Sequence, residues 1–253
     1  MSAPLADCRV LVTRPAHQAG GLLRLIEEAG GQPLPLPMQV IEYASAGVIN
    51  SQHLSAPADW WVFTSANAVH GWHRLGLSAP PVNVAAIGPA TAQALEDLGL
   101  VVDLVPEPHS SEGLLASAPF DAPKGLRVLV LAGEGGRDLI ARSLSERGAE
   151  LRQLALYRRA PSAVTPDAAA AAISDCDAVV VTNGEALTRL YRLTPEAQRP
   201  CLLSRQLVVP SERVVEQALS LGFVEPARVP AQINDAQLVR TLIEWRRNSS
   251  ATG

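Results

Sequence analysis

Short apolar runs along this 253-residue chain are repeatedly followed by one kind of chemistry. Thr13 and Arg14 follow Arg9-Val10-Leu11-Val12. Thr64, Ser65 and Asn67 follow Trp60-Trp61-Val62-Phe63, and Gly88, Pro89 and Thr91 follow Val84-Ala85-Ala86-Ile87. Ser110 and Ser111 precede Leu114. Further along come Gly133, Gly135, Gly136 and Arg137, then Thr182, Asn183 and Gly184, then Ser211 and Arg213. The inventory is hydroxyls, amides, glycines and three arginines, with acids and histidines almost absent. Such groups at loop-to-helix junctions suit carboxylates or phosphates, because a helix start offers unpaired N–H groups and the positive end of the helix dipole. Each Ser, Thr or Asn also has a plainer reading as an ordinary N-cap. Repetition of the same chemistry at every junction favours an anionic ligand.

Tyr157 is a different kind of candidate. It is flanked by Arg158 and Arg159 beside a proline-bounded segment. Its phenol reads equally as a proton donor in a cleft and as a packing residue at a hinge. Several other motifs fail. Gly133-Glu134-Gly135-Gly136-Arg137-Asp138 has Asp where a dinucleotide fingerprint needs its third glycine, and no phosphate-binding GxxxxGK[ST] run exists. His70 and His73 share a helical face but lack an acidic or thiol partner at ligand spacing, so they read as solvent-facing and no metal is expected. Ser65 and Ser211 lack the glycine-framed turn of a hydrolase nucleophile. Trp60-Trp61 reads as strand core.

The elements that position these residues repeat. Arg9 to Val12 forms a β-branched run, a break at Thr13-Arg14-Pro15 follows, and Leu22, Leu23 and Ile26 mark one helical face that ends at Gly30-Gly31. The same unit returns 118 residues later: Arg127 to Val130 matches Arg9 to Val12, Gly148 falls on Gly30, and Asp177 to Asn183 falls on Asp59 to Ser65. After a small insertion the offset is 123 or 124, with Leu221-Gly222 on Leu98-Gly99 and Asp235 to Val239 on Ser111 to Leu115. An ordered series at nearly constant offset indicates duplication. Alternating strands and helices predict parallel sheets covered on both faces. Two proline-rich segments, Gln32 to Pro37 and Arg158 to Pro166, read as crossings between domains. The expected division is one domain over residues 1–35 plus 162–253, a second over 39–157, and linkers at 36–38 and 158–161.

Composition bounds the function. The chain is 47% hydrophobic and 18% charged, with a net charge of −4, which argues against broad nucleic-acid binding. Cys8, Cys176 and Cys201 are odd in number and far apart, which suits a reducing compartment. No signal-length apolar start and no run approaching the ~18 apolar residues of a membrane span are present. A cytoplasmic location is expected. The absence of a leftover amphipathic stripe leads us to expect a monomer.

In order and spacing, a set of motifs resembles the uroporphyrinogen-III synthase family. They are Val12-Thr13-Arg14-Pro15, Phe63-Thr64-Ser65-Ala66-Asn67-Ala68-Val69, Ala86-Ile87-Gly88-Pro89-Ala90-Thr91-Ala92, Ser111-Glu112-Gly113-Leu114-Leu115, Gly133 to Arg137, Leu156-Tyr157-Arg158-Arg159 and Pro210-Ser211-Glu212-Arg213-Val214. The resemblance covers about residues 9 to 245. It implies two duplicated three-layer parallel-sheet domains, Rossmann- or flavodoxin-like, joined by a two-stranded linker. It implies an enzyme that cyclises hydroxymethylbilane with inversion of ring D and loss of water, using no metal or organic cofactor. It further implies substrate binding by Thr13, Arg14, Ser65, Asn67, Gly88, Ser111, Gly136, Arg137, Thr182, Asn183, Ser211 and Arg213, with Tyr157 or Thr91 assisting the leaving hydroxyl. Hand-over from hydroxymethylbilane synthase is one partner reading; no nucleic acid or membrane partner is implied. Asn183 departs from the family, where Ser often follows the Thr equivalent to Thr182. Two other classes remain open: a non-catalytic binder of a small anion, and a Rossmann-type nucleotide-dependent enzyme.

Overall fold

The computed structural model describes residues 3–45, 56–76, 82–135 and 138–251. It is an α/β protein that divides into two compact units, one formed by Met1–Val40 with Pro161–Gly253 and the other by Ile41–Ala160. The chain passes from the first unit to the second between Val40 and Ile41 and returns between Ala160 and Pro161.

The first unit contains β1 (Arg9–Val12), α1 (Ala16–Glu28), β2 (Gln32–Pro35) and the start of β3 (Gln39–Tyr43). The second adds β4 (Trp60–Phe63), α2 (Ala66–Arg74), β5 (Asn83–Ala86), α3 (Pro89–Glu96), α4 (Ser111–Ala116), β6 (Arg127–Gly133), α5 (Leu139–Glu146) and β7 (Glu150–Pro161). The chain then returns through α6 (Pro166–Asp175), β8 (Ala178–Val180), α7 (Gly184–Leu193), α8 (Arg199–Leu203), β9 (Gln206–Val208), α9 (Glu212–Leu221) and α10 (Asp235–Ala251). The sheet of the first unit has the order β2-β1-β8-β9, all parallel. That of the second has the order β3-β7-β6-β4-β5, with β7, β6, β4 and β5 parallel.

Register repeats between the sheets. Val10 pairs with Ala178 in one, and Val128, 118 positions on, pairs with Trp60 in the other. Isolated parallel bridges extend both sheets at the same place, Val208 to Arg228 and Ala85 to Leu104. Strand interiors read as unbroken apolar runs because both faces are buried. Val10, Val12 and Val180 pack under α1 and α10, while Leu11, Val179 and Val181 pack against α6, α7 and α9. Likewise Trp61, Phe63, Leu129 and Leu131 pack on α2 and α3, and Val62, Val128 and Val130 on α4 and α5.

The proline-rich stretch from Gln32 corrects the expected linker at 36–38. Gln32–Pro35 is an edge strand, and Leu36 and Met38 are buried in the first unit's core. Gln32 and Leu36 donate inward to Cys8 and Val12 carbonyls, so Pro33 and Pro35 fall on alternate residues whose missing N–H groups face away from β1. The helix before this strand ends as its glycines predict, with Gly30 at φ +84. Burial pushes the Cys8 thiol up to about 11 and the Cys176 thiol up to about 12, so neither offers a reactive thiolate near neutrality. Among the described residues no helix is long and apolar enough to cross a membrane.

An aspartate before an inner strand of each sheet ties that strand to its neighbour. Asp177 accepts the Arg9 N–H at 2.7 Å, and Asp59 accepts the Arg127 N–H at 2.9 Å. Asp59 also takes the Arg127 guanidinium at 2.6 and 3.1 Å, and these bonds hold its carboxyl at about 2, below the ordinary 3.8. The folded-state value is the lower one, so the stabilisation is complete above pH 3.8 and lost as pH falls toward about 2. Asp59→Asn is therefore expected to melt earlier than the parent at neutral pH, and the gap in thermal midpoint, followed by circular dichroism, should close across that acid window.

Candidate active site

Most of the described candidates sit at or beyond the carboxyl ends of the parallel strands, at helix starts. In the second unit the loop after β4 begins with Thr64, whose hydroxyl donates to the Leu131 carbonyl at 3.3 Å. Ser65 is the N-cap of α2, with its Oγ accepting the Ala68 N–H at 3.3 Å. Asn67 lies on the first turn of that helix and is buried, 7% exposed. Gly88 caps α3 in an extended conformation with Pro89 at the first helical position. Thr91, on the same first turn, is 5% exposed. Ser110 carries the cap of α4, accepting the Gly113 N–H at 3.1 Å, and Ser111 is the first helical residue.

Tyr157 joins this group from β7. Its ring is 5% exposed, and its hydroxyl is 3.1 Å from Ser65 Oγ. The Arg159 guanidinium lies 5.7 Å from the ring centroid. Nearby, burial is the main force pushing the Tyr43 phenol up; the Arg74 guanidinium, 5.1 Å from its ring centroid, opposes this, and Tyr157 adds to it. Tyr157 and Ser65, 92 residues apart in the chain, are thus brought into direct contact.

In the first unit several of the polar residues are committed to the protein itself. Thr13 is 1% exposed and its hydroxyl donates to the Val180 carbonyl at 3.1 Å. Arg14 forms an ion pair with Asp235 at the start of α10. A substrate carboxylate would have to share this guanidinium with Asp235. Asn183 caps α7 through its Oδ1, which accepts the Ala186 N–H at 2.8 Å, and its Nδ2 donates to Gln39 at 3.0 Å. Gln39 in turn donates to Glu185 at 2.6 Å. Thr182 is half-buried beside them. Ser211 is the N-cap of α9 but makes no side-chain cap bond, and Arg213 is exposed. Among the described residues no acid forms an ion pair with Arg213. Gly136 and Arg137 lie outside the described residues.

His70 and His73 are exposed on α2. Among the described residues no three His, Cys, Asp or Glu side chains group as metal ligands would. Sequence reasoning missed Gln39, Glu185 and Asp235 as partners of the candidates. Nothing local marks them, because each pairing joins residues more than a hundred positions apart.

The family model for uroporphyrinogen-III synthase HemD matches residues 21–240. The chain belongs to the uroporphyrinogen-III synthase family. The uroporphyrinogen-III synthase of Escherichia coli (strain K12) is 33% identical over 248 residues, which span 90% of this chain and 98% of that one. That of Salmonella typhimurium (strain LT2) is 36% identical over 159 residues, covering 60% of this chain and 64% of its own. In fold, the chain resembles uroporphyrinogen III synthase of Thermus thermophilus, with a TM-score of 0.64 and 21% identity over 96% of this chain and 99% of that one. It likewise resembles uroporphyrinogen-III synthetase of Helicobacter pylori 26695, with a TM-score of 0.65 and 13% identity over 94% and 99%.

The unequal commitment of the caps is measurable. Asn183→Ala removes a cap and strands Gln39, and should cost about 1–2 kcal/mol in urea denaturation. Ser211→Ala should stay within about 0.5 kcal/mol, because its hydroxyl makes no cap bond.

Proposed function

We propose that this chain is a uroporphyrinogen-III synthase, a cyclising lyase of tetrapyrrole biosynthesis that converts hydroxymethylbilane to the type III isomer of uroporphyrinogen. The observation that carries this reading is the family match over residues 21–240. The local chemistry supports it. The substrate is a polycarboxylate, and the strand ends of both units offer helix starts, hydroxyls and arginines. Ser65, Asn67, Gly88 and Ser111 belong to the second unit. Thr13, Arg14, Thr182, Asn183, Ser211 and Arg213 belong to the first, and Gly136 and Arg137 complete the set. Among these, Ser211 and Arg213 are open to meet a carboxylate, since Ser211 makes no side-chain cap bond and Arg213 is exposed. For Thr13 and Asn183 the contribution falls to the backbone they order, since their side chains are already bonded.

The reaction asks for little acid–base machinery. The ring-A hydroxymethyl oxygen takes a proton, the carbon–oxygen bond breaks and water leaves, and an electrophilic azafulvene remains. The substituted carbon of ring D attacks it to give a spiro intermediate, which reopens and closes with ring D inverted and a proton released. Folding the bilane so that this carbon attacks is a matter of positioning. One acid is needed for the departing hydroxyl, and Tyr157 is assigned to it, with buried Thr91 as the alternative. The enzyme in this reading is a cytoplasmic monomer without cofactor, taking its substrate directly or by hand-over from hydroxymethylbilane synthase. The repeated register supports descent of both units from one flavodoxin-like ancestor.

The deciding assay incubates the protein with hydroxymethylbilane and separates the isomers. Type III product is expected; type I alone, which forms spontaneously, sinks the enzyme reading. Tyr157→Phe is expected to slow type III formation by about 100-fold or more. An unchanged rate removes Tyr157 as the acid.

A further inference from the structure

The strand β7 breaks its own alternation next to Tyr157. Side chains along a strand point to opposite faces in turn. Leu154 and Leu156 obey this, yet Tyr157 is buried in the same apolar cluster as its neighbour Leu156. The pairing with β6 explains how. Ala132 lies opposite Ala155 and Gly133 opposite Tyr157, so Leu156 is an extra residue in the ladder, a β-bulge. The Leu156 carbonyl, freed from β6, accepts the Ala44 N–H at 2.9 Å. The bulge turns the Tyr157 ring across the end of β6, directly onto Gly133. A Cβ added at Gly133 would lie 2.5 Å from the ring Cζ and 2.8 Å from both Cε2 and the hydroxyl oxygen. No side chain fits there while the ring stays in place. The Glu134 N–H closes the arrangement by donating to the Tyr157 carbonyl at 2.8 Å.

We infer that Gly133 is a positioning residue for the reaction: its missing side chain forms the slot that holds the Tyr157 phenol against Ser65. This rests on the reading that Tyr157 serves the chemistry. Ser65 Oγ accepts the Ala68 N–H, which leaves its own proton free to donate to the phenol oxygen 3.1 Å away. The phenol proton is then directed to the substrate. In the step assigned to it, that proton passes to the hydroxymethyl oxygen, the carbon–oxygen bond breaks and water departs. The phenolate keeps the electron pair under the Ser65 hydroxyl and the Arg159 cation, and is reprotonated by the proton released when ring D closes.

The test is Gly133→Ala in the full chain. The ring must swing off the slot, so kcat for the type III isomer should fall by about 100-fold with KM within about twofold, as expected for a misplaced reacting group. The near-ultraviolet circular dichroism of Tyr157, assigned by subtracting that of Tyr157→Phe, should change as the ring leaves its packed place against Ser65. In a Tyr157→Ala background the slot is empty, and adding Gly133→Ala should change neither rate nor stability. If Gly133→Ala alone does not fold, the double variant should recover the fold; a double variant that stays unfolded overturns the inference. A folded Gly133→Ala enzyme with parental kcat and an unchanged Tyr157 dichroism signal also overturns it. If Tyr157→Phe keeps full activity while Gly133→Ala still changes that signal, the acid assignment fails, and with it the role of Gly133 in the reaction, leaving the slot as packing alone.

Discussion

Each sheet depends on a parallel pairing between strands from opposite parts of the chain. β1 pairs with β8 across 168 positions, and β4 pairs with β6 across 68. Neither pair can be joined by a tight turn, and both lie inside their sheets, so every N–H and C=O must find a partner across the ladder. The aspartates at 59 and 177 act at that seam. Each sits one residue before its own strand and takes the first N–H of the neighbouring one. With the seam in register, the carboxyl ends of the strands fall level, and the loops that leave them share an edge.

That shared edge explains why polar side chains gather at the helix starts. A helix start leaves N–H groups in need of a cap, and Ser65, Ser110 and Asn183 supply one. Capping and ligand binding are not exclusive, since a cap orders the loop N–H groups that an anion would meet. They do compete for the same side-chain oxygen. In the second unit Ser65 meets a buried phenol, whereas in the first Thr13, Arg14 and Asn183 bond to Val180, Asp235 and Gln39.

Much of this was legible in the residues alone. Apolar runs at Arg9, Trp60, Arg127 and Ala178 became strands, and the 118-residue offset reappears in the register of the two sheets. The glycine pair at Gly30 ends its helix as expected. Prolines misled. In Gln32 to Pro37 they looked like a stiff crossing, because a proline is usually foreign to a strand; their alternate spacing fits an edge, which only the strand order reveals. Ser65 and Tyr157 were both readable as candidates, but not their contact. The bulge at Leu156 was out of reach for a plainer reason: a slipped alternation is visible only once the opposing strand is known. Gly133 looked like part of a failed nucleotide motif, and its role as a void depends on that same slip.

The prolines of β2 have one more consequence. An exposed sheet edge is ordinarily a template, ready to accept another extended chain through its row of donors and acceptors. Along this edge Pro33 and Pro35 remove the outward donors while Gln32 and Leu36 spend theirs inward. An approaching strand meets carbonyls without the alternating N–H groups it needs to form a ladder. Two pyrrolidine rings thereby deny that edge the donors a further strand would pair with.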